Sequence, residues 1–250
     1  MNEIIQKTAR ATLSTFAKYN DTNAENFTQA FVTVCNLTED FISKESIKSA
    51  HLVELIKKYP KQYILAILTG ILNGLLSYTL FGFLNIYMSK YIGVKVVNSL
   101  IYNLFGLLSF MVSCLVFGHL YDLESRKKQQ PLFLSVLVVV TAGWLGFLFM
   151  QEARASFIVL GQVFLGIGVG AFVGPTHAFL QKQFSPEVRY TGVASGFSLG
   201  MALSGSTTLL LMGFMINKLN YTMTPAIIIF ITTYLWFIAY KAMKKEVIKN

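Results

Sequence analysis

Six long apolar stretches of this chain contain no Asp, Glu, Lys or Arg. A helix of about 20 apolar residues is long enough to cross the hydrocarbon core of a bilayer. In lipid every backbone polar group must be hydrogen-bonded inside the segment, so each stretch is predicted to be an α-helix. The predicted spans are residues 63–88, 99–120, 131–150, 156–181, 192–216 and 225–240.

The composition supports a membrane protein and argues against a nucleic-acid partner. Hydrophobic residues make up 54% of the chain and charged residues 13%, whereas soluble domains are about 25% charged. Residues 1–60 carry seven basic and seven acidic side chains, so the net charge of +9 comes entirely from residues 61–250. A basic surplus confined to loops between apolar stretches indicates membrane topology, and the predicted partner is the lipid bilayer.

The distribution of basic residues predicts the orientation of the chain. If both termini are cytoplasmic, twelve basic residues flank the inner side of the spans and four lie in the outer loops. Short cytoplasmic loops carry the excess of Lys and Arg in membrane proteins. We therefore expect a multi-pass protein of the cell inner membrane with both ends in the cytoplasm. The outer four are Lys90, Lys95, Arg154 and Lys218.

Residues 1–60 form a polar leader in which apolar residues recur at helical spacing. The pattern predicts three short helices and a domain boundary near residue 60, with the membrane bundle at residues 61–245. One interpretation is a small helical domain or a regulatory surface. The other is a cytoplasmic connector left over from a longer chain, which we favour because so short a segment builds little core by itself.

Glycines follow a regular spacing in two of the predicted spans. Gly192, Gly196 and Gly200 recur every four residues and so share one helix face, and the span before them holds Gly166 and Gly170. Small residues at this spacing let two helix backbones approach closely in lipid. All five glycines are therefore predicted to serve helix packing.

Residues 118–128, GHLYDLESRKK, are the sharpest charge cluster among the apolar stretches. A Gly-x-Leu-x-Asp turn followed by a basic triplet suits a short cytoplasmic loop, because the basic residues hold it inside. The segment resembles the loop signature of the major facilitator superfamily, G-x-L-x-D-R-x-G-R-R. Leu123 and Ser125 depart from the pattern, as in the weaker copy between helices 8 and 9. The matching positions are Gly118, Leu120, Asp122, Arg126 and Lys127.

A longer segment, residues 184–205, resembles helices 10 and 11 of the metabolite:proton symporter branch of that superfamily. The pattern of this branch is F-P-x-x-V-R-Y-T-G-x-x-x-x-x-N-x-x-x-A-L-x-G-G. Ser185, Ser198 and Ser206 stand where it has proline, asparagine and the last glycine. The branch includes carriers of proline and betaine and of organic acids. The matching positions are Phe184, Val188, Arg189, Tyr190, Thr191, Gly192, Ala202, Leu203 and Gly205.

The resemblance covers roughly residues 60–240 and implies that the six spans are helices 7 to 12, one six-helix half-bundle of a carrier. In the superfamily, helices 1, 4, 7 and 10 line the substrate cavity, which points to the first and fourth spans here. Polar residues inside a membrane are functional candidates. The predicted cavity residues are Asn73, Ser77, Tyr78, Gln162 and His177. Helix packing remains an alternative for Asn73, and a position near the inner headgroups for His177.

The spans contain no carboxylate, although proton-coupled carriers generally need a titratable group in the membrane. If the protein takes part in proton symport, the coupling acid is expected on another chain. No catalytic triad, phosphate-binding glycine loop, dinucleotide fingerprint or metal-ligand spacing appears in the sequence, so neither an enzyme nor a cofactor nor a metal site is predicted.

These features predict a secondary active transporter, or half of one, that takes up a small metabolite by alternating access. Its expected partners are the substrate, protons, and either a separately encoded N-terminal half or a second copy of the chain. The glycine face at residues 192–200 and the span 99–120 are expected to point at that second half. The alternatives are a remnant or split-gene fragment without transport activity, and a regulatory membrane protein that works through residues 1–60.

Overall fold

The computed structural model describes residues 52–126 and 131–247, and all of its regular elements in these two ranges are helical. The N-terminal leader before residue 52, residues 127–130 and the last three residues lie outside the described part. The helices are α1 (Leu52–Lys58), α2 (Pro60–Tyr78), a π-helical segment (Thr79–Phe83), α3 (Leu84–Lys90), α4 (Val96–Arg126), α5 (Pro131–Met150), α6 (Ala155–Gln181), α7 (Arg189–Leu219) and α8 (Thr224–Val247).

Six of these helical stretches are long and apolar enough to cross a membrane, which confirms the predicted all-α six-helix half-bundle. Five of the stretches run past the predicted limits, for example Arg189–Leu219 against the predicted residues 192–216, whereas the third, Phe133–Met150, does not. The predicted limits lie close to charged residues. Lys and Arg have high helix propensity, so a helix continues through them into the headgroup region.

The expected turn at Gly118–Asp122 is wrong, because α4 remains helical as far as Arg126. The segment contains no proline after the glycine, and an isolated glycine costs a helix only about 1 kcal/mol. Tyr121 is only 5% exposed and anchors this last part of α4 to the bundle. The signature residues Gly118, Leu120, Asp122 and Arg126 therefore lie on a helix, and Lys127 lies outside the described residues.

The helices pack as two related sets of three. The first, second and third spans are α2 with α3, α4 and α5, and the fourth, fifth and sixth are α6, α7 and α8. The extensive contacts join α4 with α6, α2 with α7 and α5 with α6, and smaller contacts join α8 with α5 and α8 with α2. If the first span is exchanged with the fourth, the second with the fifth and the third with the sixth, the α2–α7 contact becomes α6–α4. The α5–α6 contact likewise becomes α8–α2. The bundle is thus built as an internal repeat of a three-helix unit, an arrangement common among secondary transporters.

Corresponding helices of the two sets are interrupted at similar positions. The first span changes to π-helix after the 19 residues of α2, where the Thr79 hydroxyl donates to the Leu75 carbonyl at 2.6 Å. In α6, Pro175 falls at about the same distance from the helix start and removes one backbone hydrogen bond. Such interruptions are points at which a membrane helix can bend.

The helix ends lie on two sides of the bundle, and side-chain contacts show which ends lie together. On one side Lys182 lies 4.6 Å above the Tyr121 ring, and the Tyr59 and Ser185 hydroxyls are 3.2 Å apart. We call this side, which holds the start of α2 and α7 and the end of α4, α6 and α8, the basic end. The other side, the opposite end, holds the loops at residues 91–95, 151–154 and 220–223. There the Gln151 amide donates to the Thr222 hydroxyl at 2.9 Å.

The end of the leader belongs to the bundle. Helix α1 contacts α2 and α7, and Leu55 is 1% exposed within the core. The predicted boundary near residue 60 therefore follows a segment that already packs on the membrane helices. The other predicted leader helices lie outside the described residues.

Candidate functional site

The α2 and α7 backbones touch through small residues. A Cβ added to Gly200 would stand 2.8 Å from the Ile71 nitrogen and 2.9 Å from the Gly70 Cα, and one on Gly196 would stand 2.8 Å from the Ala66 Cβ. Gly192 instead faces a side chain, the Phe184 ring. The expectation that this glycine face points at a second half is therefore wrong, because α2 of the same chain fills it.

The α4 and α6 pair is equally close and is also joined by hydrogen bonds. The Ser109 hydroxyl donates to the Val163 carbonyl at 3.1 Å, and the Ser113 hydroxyl donates to the Ile167 carbonyl at 2.8 Å. Gly166 and Gly170 lie in the same contact, where an added Cβ would meet the backbone of α4. In lipid such small residues and hydroxyl bonds hold helices together in place of the hydrophobic effect.

Three of the five predicted cavity residues lie inside the bundle. Gln162 is 0% exposed, Asn73 5% and Ser77 8%. The Asn73 amide nitrogen donates to the Met201 sulfur at 3.4 Å, and so faces α7. These side chains therefore occupy helix contacts within this half-bundle.

The other two predicted residues, Tyr78 and His177, are exposed on the bundle surface beside α7. Tyr78 is 38% exposed, and its hydroxyl lies 3.1 Å from where a Cβ on Gly205 would stand. The exposed His177 ring packs on the Phe197 ring with 4.8 Å between centroids. Phe197 and Gly205 are about 12 Å apart along the helix at a rise of about 1.5 Å per residue. His177 thus lies nearer the basic end and Tyr78 nearer the middle.

Around these two contacts α7 presents further exposed small residues. Ala194, Ser198 and Ala202 recur every four residues and are all exposed. We call the surface formed by Tyr78, His177 and these three residues the open face. Its polar groups lie at membrane depth, where polar side chains normally meet water, protein or a ligand.

The structure also contains a small apolar crevice on another part of the bundle. It lies among the first, third, fourth and sixth spans, and none of the five predicted cavity residues lines it. The crevice therefore provides no site for a polar substrate. Its lining residues are Leu76, Thr79, Leu80, Leu84, Val139, Gly143, Leu165, Gly168, Val169 and Ile229.

A buried hydrogen bond between α2 and α8 was not predicted, since neither residue belongs to a motif. The Trp236 indole nitrogen donates to the Thr69 hydroxyl at 3.0 Å, and the exposed fractions are 3% and 0%. The ring also packs edge-on against Phe172 of α6, with centroids 5.1 Å apart. This contact fixes α8 against the two central helices.

Removing this bond should destabilise the bundle. Thr69→Val keeps the volume but leaves the indole N–H without an acceptor, so the free energy of unfolding should fall by about 1–3 kcal/mol. Unfolding of the purified protein in mixed micelles, followed by tryptophan fluorescence, measures the change. Thr207→Val is the control, because that exposed hydroxyl donates only to the Leu203 carbonyl of its own helix. Equal stability losses in both variants would contradict the role of the Trp236 bond.

The six membrane-length helices and their three-helix repeat define a multi-pass all-α membrane protein. The family model of the Major Facilitator Superfamily matches residues 16–205, which is more than half of the chain. The chain therefore belongs to the major facilitator superfamily, a family of membrane transporters. The match begins in the leader, upstream of the region in which the sequence motifs lie. Searches of curated proteins and of solved structures found no match.

Proposed function

We propose that the chain is one lobe of a secondary active transporter that takes up a small metabolite by alternating access. The resemblance of residues 184–205 to the metabolite:proton symporter branch favours proline, betaine or an organic acid as substrate and protons as the coupling ion. The observation that carries the proposal is the exposed Tyr78, whose hydroxyl lies near the middle of the span Pro60–Lys90. Two exposed polar side chains beside the same helix, Tyr78 near Gly205 and His177 on Phe197, suit a water-filled cavity better than lipid.

The cavity of the proposed carrier forms between this lobe and a second one. Tyr78 and His177 lie on the open face, whereas Asn73, Ser77 and Gln162 are buried in helix contacts of this lobe. A transporter of this type places its site where two bundles meet and rocks them about that site. The second lobe is a separately encoded N-terminal half or a second copy of this chain.

In this proposal the coupling acid comes from a separately encoded N-terminal half, because a second copy of this chain would add no Asp or Glu within its apolar stretches. The six charge-free stretches defined from the sequence contain no Asp or Glu. His177 is titratable but lies only four residues before the end of α6, close to the basic end. Proton transfer through the middle of the membrane needs a carboxyl group from the partner lobe.

Uptake into proteoliposomes with an imposed pH gradient tests the proposal. The protein, alone and with a co-expressed second lobe, is assayed with labelled proline, betaine, a dicarboxylate and a tricarboxylate. Tyr78→Phe should reduce uptake about tenfold, the cost of removing one hydrogen bond to a bound substrate. Tyr234→Phe is the matched control, because Tyr234 is 55% exposed on α8, which contributes no residue to the open face.

Three results would contradict the proposal. Equal uptake by the Tyr78→Phe and Tyr234→Phe proteins would remove the open face from the transport site. Failure of every substrate in every lobe combination would favour the non-transporting remnant.

His177→Ala should leave proton coupling intact, and complete loss of coupling in a folded variant would place the coupling group on this chain.

A further inference from the structure

The side chain of Gln162 lies at the meeting point of four membrane spans. Its amide nitrogen donates to the Met88 sulfur at 3.2 Å and faces the Met150 sulfur at 3.8 Å, and all three side chains are 0% exposed. Its amide oxygen is also buried, and no group among the described residues donates to it. Buried carbonyl oxygens nearly always accept a hydrogen bond, from protein or from ordered water.

A second orphan acceptor faces the same region from α4. Asn103 is 5% exposed, and its amide oxygen likewise has no donor in the described part of the chain. The Gln162 oxygen lies 2.9 Å from where a Cβ on Gly106 would stand. Asn103 comes one turn before Gly106 on the same face of α4, and residues three apart have Cβ atoms about 5–6 Å apart. Because Gly106 has no side chain, the Gln162 oxygen approaches the α4 backbone one turn from Asn103.

The pair continues a row of polar links between α4 and α6. Asn103, Gly106, Ser109 and Ser113 follow one stripe of α4. The two serines of this stripe already donate to carbonyls of α6. In the orientation that the structure gives the Asn103 amide, its oxygen and the Gln162 oxygen are both acceptors and cannot bond to each other, so a donor must come from elsewhere.

We propose that an internal water site lies between α4 and α6, where a water molecule donates one hydrogen to the Asn103 oxygen and the other to the Gln162 oxygen. A water has two donors, which matches the two acceptors. The ligand is neutral, because both amides are neutral and the acidic residues of α4, Asp122 and Glu124, lie at its basic end. Reversing the Gln162 amide would place its oxygen against two sulfur atoms, where it still lacks a strong donor.

Radiolytic hydroxyl labelling of the intact protein in nanodiscs tests the site. X-ray exposure creates radicals from bound water in place, and methionine sulfur is readily oxidised. We expect Met88 and Met150 to be oxidised about tenfold faster than Met212. Both sulfurs are buried, so only radicals formed from an internal water can reach them. Met212 is the matched control, because it is also 0% exposed and accepts from the Thr79 hydroxyl at 3.5 Å.

Variants connect the labelling to the two amides. Gln162→Leu or Asn103→Leu should reduce oxidation of Met88 to the rate of Met212. Gln183→Leu, whose amide donates to the Phe179 carbonyl at the basic end, should leave it unchanged. The helix content and the oxidation rate of Met212 show whether each variant is folded. If the Gln162→Leu protein does not fold, the Asn103→Leu protein is used in its place. Slow oxidation of Met88 in the unmodified protein, or fast oxidation that survives both substitutions, would overturn the proposal.

Discussion

Replacing Gly200 by alanine should strongly destabilise the half-bundle. The added Cβ would meet the Ile67 carbonyl oxygen, the Ile71 nitrogen at 2.8 Å and the Gly70 Cα at 2.9 Å, all of them backbone atoms of α2. Backbone cannot rotate away as a side chain can, so α2 and α7 must move apart. Overpacking of this kind typically costs about 1–3 kcal/mol, and we expect the upper part of that range here.

The same substitution at Gly118 provides the control. Gly118 also lies within a membrane helix, but an added Cβ there would have only the Gly174 carbonyl oxygen near it, at 3.9 Å. Gly118→Ala should therefore leave stability unchanged or raise it by up to about 1 kcal/mol through helix propensity. The free energy of unfolding in mixed micelles distinguishes the two variants. Comparable stability for Gly200→Ala and Gly118→Ala would show that α2 and α7 do not touch as described.

The membrane helices could be predicted from the sequence because their physical cause is local. Each apolar stretch must satisfy its own backbone in lipid, so length and the lack of charge are sufficient evidence. Gly118 and Asp122 predict a turn, but α4 continues to Arg126 because the buried Tyr121 holds that segment in the bundle. A contact distant in sequence outweighed a weak local preference there.

The partners of the helix faces could not be predicted, since many pairings satisfy the same spacing. Gly196 and Gly200 indicate a close contact but do not specify that α2 makes it. Likewise, a polar residue in a span can face a cavity or a neighbouring helix. Asn73 and Gln162 turn inward to methionine sulfurs, while Tyr78 and His177 remain exposed. Only the packed bundle distinguishes these cases.

Topology reporters should place both termini in the cytoplasm. Alkaline phosphatase fused after Gly93, Ala153 or Tyr221, at the opposite end, should be at least about tenfold more active than after Pro186 or Asn250, because basic residues retain short loops inside. Green fluorescent protein should give the reverse pattern. The structure supports one common side for the inner fusions, since Lys182 meets Tyr121 and Ser185 meets Tyr59 at the basic end.

Removing three basic residues from one loop tests whether the orientation depends on the total number of Lys and Arg residues on the inner side or on that loop alone. Changing Arg126, Lys127 and Lys128 to glutamine reduces the inner count from twelve to nine against four outside, 12 − 3 = 9, so the reporter pattern should persist. An active phosphatase after Asn250 in the unmodified chain would reverse the assignment of the basic end. Reversal only in the triple variant would show that the loop after α4 sets the orientation by itself. Retention of the pattern in both proteins would establish the basic end as the cytoplasmic side.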